Sequence, residues 1–179
     1  MSVASTATPK SRKIPASAVD ELTGLPVLSA IYPRVRSELK KREEAGFLFF
    51  DVVGFRNLQI KYGKAACNEI LKALGETFDE QRGKLFRDED LVAVGGPGAD
   101  YFVVFLFSPP RRKEKFSSYD LKLISYRILQ KLGNIVKEEA AKLGIVDTID
   151  FHSGYTVLVH DPKIKTERLV TEAQKEAAL

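Results

Sequence analysis

Apolar and polar positions repeat with two different periods along this chain, and the switches between them mark the elements. Val27, Leu28, Ile31, Val35 and Leu39 recur at helical spacing up to the charged run Lys40–Glu44, which predicts a helix. Pro33 falls inside that stretch and is expected to kink the helix or to mark its true start. Residues 46–53, GFLFFDVV, are a nearly continuous apolar run, as expected of a central strand covered on both faces. Helical spacing returns over 64–86 with Ile70, Leu71, Leu74 and Phe78. LVAV at 91–94 and FVVFLF at 102–107 flank a glycine-rich turn and predict a hairpin. Residues 118–142 place Leu121, Ile124, Ile128, Leu132 and Val136 along one face of a long helix. Ile149–Val159 reads as a strand and 164–179 as a final helix.

The predicted order is helix, strand, helix, strand, strand, helix, strand, helix. A hairpin inside such an alternation points to an α+β sandwich of the ferredoxin-like, split βαβ kind, with a mixed, mostly antiparallel sheet and helices packed on it. Residues 1–18 (MSVASTATPKSRKIPASA) are small, polar and proline-containing. They are expected to be a disordered lead or linker, with the domain over 19–179. Residues 108–115, SPPRRKEK, are expected to form an exposed basic loop. There is no internal repeat.

Composition narrows the function classes. A chain of 179 residues is long enough for one domain with a full core. Apolar residues make up 44% and charged residues 29%, ordinary proportions for a globular protein. The net charge of +4, from 28 basic and 24 acidic residues, is too small and scattered to indicate a nucleic-acid partner. No apolar run approaches the roughly 20 residues a membrane span needs, and no signal-peptide core is evident. The single cysteine, Cys67, excludes an internal disulfide and fits a reducing cytoplasm. It lies on a predicted helix with Lys64 as its one basic neighbour, so an inert buried thiol is expected. His152 and His160 have no ligand-spaced partner and are expected to be structural.

Several segments, in series, resemble the GGDEF family of diguanylate cyclases. Residues 20–26, DELTGLP, resemble its entry motif, although Val27 and Leu28 replace the Asn and Arg that follow. Phe50-Asp51-Val52-Val53-Gly54-Phe55 resembles its metal strand, with Gly63 and Leu71 in place behind it. Arg87–Asp90 resembles the stretch leading to the signature, and GADYF at 98–102 stands where the signature GGDEF belongs. Residues 151–157, with Gly154, and 169–177, with Ala173, resemble the closing strand and helix, Gln174 standing for an Asp. The likeness runs from about residue 20 to the end, and its departures make this a degenerate member. By the same alignment the family's phosphate-binding lysine falls just beyond Leu179, so the chain is expected to be part of a longer protein.

In active members, the resemblance implies, two GTP molecules in facing domains are joined with the help of two Mg²⁺ ions held by acids. Asp51 keeps the first acid, Val52 keeps a backbone carbonyl, and Asp100 takes the third signature position. The second acid of the metal strand is Val53, the fourth signature position is Tyr101, and Gly96-Pro97 lengthens the hairpin. Gln59, Asn68 and Gly98 are the vestigial nucleotide-binding positions; Asn68 cannot offer guanine a carboxylate, and Lys64 replaces a histidine. On the residues alone, Asp51 could equally be a solvated or capping acid and Asp100 a turn former. Tyr101 is expected to pack its ring on the sheet.

The family's inhibitory R-x-x-D site is matched intact by Arg87 and Asp90. There the arginine would fork onto a guanine edge of cyclic di-GMP, while the aspartate would bond the opposite edge or orient the arginine, and Lys41 or Arg42 would add a further basic group. A surface ion pair would look the same in sequence. The expected function is therefore a catalytically inactive signalling domain that receives cyclic di-GMP and needs no cofactor, with a homodimer partner or attached signalling domain. The alternatives are an active or weakly active cyclase, and a GTP-binding, Mg²⁺-assisted regulator of an attached phosphodiesterase. Docking to a protein through the 108–115 loop is the remaining case.

Overall fold

The computed structural model describes residues 18–107 and 115–178. The lead (apart from Ala18) and the basic loop (apart from Lys115) therefore lie outside the described residues. The elements are α1 (Leu28–Arg42), β1 (Glu44–Val52), α2 (Phe55–Tyr62), α3 (Lys64–Glu80), β2 (Leu91–Val94), β3 (Tyr101–Leu106), α4 (Ser118–Leu143), β4 (Phe151–Val159) and α5 (Thr166–Ala178). The strands form one sheet in the order β2-β3-β1-β4.

Strand β1 sits inside the sheet because its sequence is apolar on both faces. Leu48, Phe50 and Val52 enter one core cluster, shared with α3 and α4. Phe47 and Phe49 enter the other, shared with α1 and α5. The sheet is thus sandwiched between two helical layers. On the α3 side, Phe78 stacks on Phe102 with ring centroids 4.9 Å apart and lies 5.8 Å from Phe50. Each such buried ring contributes about 1.5–3 kcal/mol through the water it sheds.

Three sequence expectations need correcting. The sheet is antiparallel throughout its strand pairs rather than mixed. Each helical crossover skips a place in the sheet, so β1 and β2 run the same way without touching, with β3 between them. The helix expected over 64–86 is preceded by another, α2, which ends at Tyr62 before Gly63, whose φ of +89° separates the two, and α3 stops at Glu80 rather than running to 86. Pro33 does not mark the start of α1, which begins five residues earlier at Leu28. The carbonyl it leaves without a helical partner belongs to Ser29, which is exposed and can be satisfied by water.

Candidate functional site

The end of β1 that carries Asp51 is built by strand register. Asp51 is opposite Tyr101 on β3 and His152 on β4, so the three side chains leave the sheet on one face. Asp100 is one residue away from this row, and its carbonyl accepts the Val52 N–H at 3.0 Å. Burial holds the Asp51 carboxyl above its ordinary range, and the Asp100 charge adds to it; His152 and the Val52 amide pull the other way. Val53, in the place of the second acid, is 51% exposed and carries no donor oxygen on its side chain.

Tyr101 turns inward. Its ring lies on Gly95, where an added Cβ would collide with the ring atoms, and packs 5.7 Å from Phe49. Burial raises its phenol, with Asp100 and Asp51 pushing the same way. Among the described residues no group of three or more His, Cys, Asp or Glu is arranged to hold a metal. Two carboxylates beside a phenol and an imidazole are a poor set for two Mg²⁺ ions, which prefer several hard oxygens in octahedral array.

The hairpin between β2 and β3 is closed by Gly95 N–H on the Tyr101 carbonyl at 2.9 Å and by Ala99 N–H on the Gly96 carbonyl at 3.1 Å. Gly98 adopts φ +67°, a region that favours glycine. Its N–H donates to Asp20 Oδ1 at 3.3 Å. Asp20 Oδ2 accepts from the Thr23 amide at 3.1 Å and its hydroxyl at 2.7 Å. The entry segment and the signature turn are therefore one unit, hinged on a buried carboxylate. Sequence reading assigned Asp20 no task; the Asp-x-x-Thr spacing, which suits a local side-chain bridge, was the available signal.

Gln59 on α2 and Asn68 on α3 are both half-buried. Cys67 is 1% exposed and burial pushes its thiol up, which suits an inert core position.

At the far end of the sheet, Arg87 and Asp90 form a turn closed from both sides. Asp90 N–H donates to the Arg87 carbonyl at 3.1 Å. Asp90 Oδ2 accepts the Arg87 N–H and Oδ1 the Phe107 N–H, both at 2.8 Å. Asp90 is only 5% exposed; burial lifts its carboxyl, while those two amides, and after them the Arg87 charge, oppose the lift. The Arg87 side chain is exposed. Arg42 lies 5.8 Å over the Phe107 ring, one hydrogen bond removed from Asp90, with its Nε on Glu38 at 2.7 Å. Its Nη1 is buried without a partner among the described residues. Lys41 is largely exposed.

An antiparallel sheet between two helical layers, with a glycine hairpin beside an acid-bearing strand end, defines the class of nucleotide-cyclase-like domains. The sequence profile described as "Diguanylate cyclase, GGDEF domain" matches residues 17–178, and the chain belongs to that GGDEF family. Solved structures with the same fold include the diguanylate cyclase SiaD of Pseudomonas aeruginosa in complex with its activator SiaC, at 20% identity and TM-score 0.65, covering 91% of this chain. This chain spans 57% of the SiaD chain. The FimX GGDEF domain of Pseudomonas aeruginosa is similar at 16% identity and TM-score 0.64, covering 90% of this chain and 93% of its own. The DgcB GGDEF domain of Caulobacter crescentus in complex with c-di-GMP follows at 13% identity and TM-score 0.58, covering 90% and 88%. No curated protein matches the sequence. None of the described helices is long and apolar enough to cross a membrane.

Proposed function

We propose that this domain receives cyclic di-GMP at Arg87 and does not itself synthesise it. The observation that carries the catalytic half is Tyr101. An aromatic ring occupies the fourth signature position and is packed on Gly95 and Phe49, which leaves Asp51 and Asp100 as the acids retained from the metal strand and the signature. Two carboxylates, one of them already held protonated more readily by burial and by the other's charge, cannot neutralise two metal ions and two triphosphates.

The recognition half rests on the Arg87 turn. Asp90 spends both oxygens on backbone amides, so it acts as a positioning residue that fixes the arginine's backbone. Arg87 is then free to present its fork of donors to a guanine O6 and N7. Arg42, with a donor to spare, is the better placed of the two further basic candidates. Calorimetry with cyclic di-GMP tests this: the parent should release heat and Arg87→Ala should not. Equal binding by both removes the reading.

Weak cyclase activity is the second reading, favoured by the closeness of Asp51 and Asp100 that the strand register sets. Incubation with GTP and Mg²⁺ decides it. Cyclic di-GMP produced by the parent and lost in Asp100→Ala would replace the receptor reading with a catalytic one.

A further inference from the structure

The chain leaves β4 at the opposite end of the sheet from Asp51, since Val159 pairs with Glu44, seven residues and about 23 Å of strand away. There the β4–α5 connection and the outer face of α1 enclose a concave site of about 660 Å³, within the range of small-molecule sites, roughly 300–1,000 Å³. Four basic side chains line it, Arg36 and Lys40 from α1 and Lys163 and Lys165 from the connection, against two acids, Asp161 and Glu167. None of the four makes an ion pair among the described residues. Asp161 is already engaged, its Oδ1 accepting the Lys163 N–H at 2.9 Å.

Thr166 is the telling residue. It opens α5 and lines the cavity, it is only 6% exposed, and its hydroxyl has no hydrogen-bond partner among the described residues. The side chain is largely buried, and its hydroxyl, with no partner among those residues, is left for water or a ligand to complete. The first-turn amides beside it are open as well: Lys165's carbonyl takes the N–H groups of Arg168 and Leu169, and those of Thr166 and Glu167 precede any helical acceptor. A hydroxyl, two free amides at the positive end of a helix and unpaired cations on two elements together suit a multiply charged oxyanion. Pro33, Pro162 and Ile164 add an apolar wall.

The geometry points to a binding site for a dianionic phosphate group, seated on Thr166 and the start of α5 and clamped by Arg36 and Lys163, separate from the Arg87 turn. The phosphate could be inorganic or the terminal group of a small phosphomonoester. Amide NMR of the full chain, titrated with inorganic phosphate and with phenyl phosphate at constant ionic strength, tests it. Thr166 and Glu167 amides should shift first and saturably. Thr166→Val, which keeps the side-chain shape, and Arg36→Gln, on an exposed helix face, should each weaken binding at least tenfold, while Arg87→Ala leaves it unchanged. Tighter binding of phenyl phosphate identifies an ester as the ligand, and equal binding identifies free phosphate. Shifts that never saturate, or affinity retained in Arg36→Gln, would overturn the site.

Discussion

Asp20 accepts the Gly98 N–H across 78 positions of sequence, and in doing so fastens the signature turn to the segment that starts the domain. Asp20→Ala leaves three donors without their acceptor: the Gly98 and Thr23 amides and the Thr23 hydroxyl. A loss of about 1–3 kcal/mol is expected, read as a lowered denaturant midpoint. Faster hydrogen exchange should accompany it at Gly98 and Thr23.

Arg87 and Asp90 should separate in their effects although they share a motif. Arg87→Ala removes an exposed side chain and should change stability by less than about 0.5 kcal/mol, while abolishing cyclic di-GMP binding. Asp90→Ala strands two backbone amides and should cost about 2–4 kcal/mol. Urea melts alongside calorimetry would show the division. Equal destabilisation by both would mean the arginine has a structural partner.

The pH dependence of stability follows from Asp51. Its folded-state pKa lies above the unfolded value because of burial and then Asp100. In the window between those two values the native state binds more protons than the unfolded chain, so stability falls as pH rises through it. Asp51→Asn removes that penalty. Because the site is partly open to solvent, the gain at neutral pH should stay below about 1 kcal/mol. Melting curves at several pH values should show the variant's advantage over the parent growing as pH rises through that window.

Tyr101→Glu tests what the ring has replaced. The parent's melting temperature should be indifferent to Mg²⁺. The variant loses the packing on Gly95 and Phe49 and adds a third negative charge beside Asp51 and Asp100, so it should melt lower in chelator. Mg²⁺ should then raise its melting temperature by a few degrees, since only the folded state brings the three acids together. Thermal scans with and without the ion give the answer.

The fold was largely legible because its main elements declare themselves by period. The apolar run around Phe47–Phe50 had to be a strand buried twice over, and the 118–142 stripe had to be a long helix. Helix α2 escaped because it is short and buries only Phe55 and Leu58, too few positions to establish a period. Antiparallel pairing throughout could not be read because strand order is decided by tertiary packing. At the site, Tyr101's inward packing was expected from its chemistry. That Asp90 faces Phe107 and the Arg87 amide, and that Asp20 meets Gly98, depend on contacts between distant segments, which local pattern does not encode.

Strand β1 is laced to β3 on one flank and to β4 on the other, with register kept over nearly its whole length. A plank nailed along both edges cannot slide. News of an event at the Arg87 end therefore cannot reach the Asp51 end by a shift of the strand between them. It must travel around the sheet, through rocking of the outer helices or through the Asp20 tether, and those are the parts in which a relay should be sought.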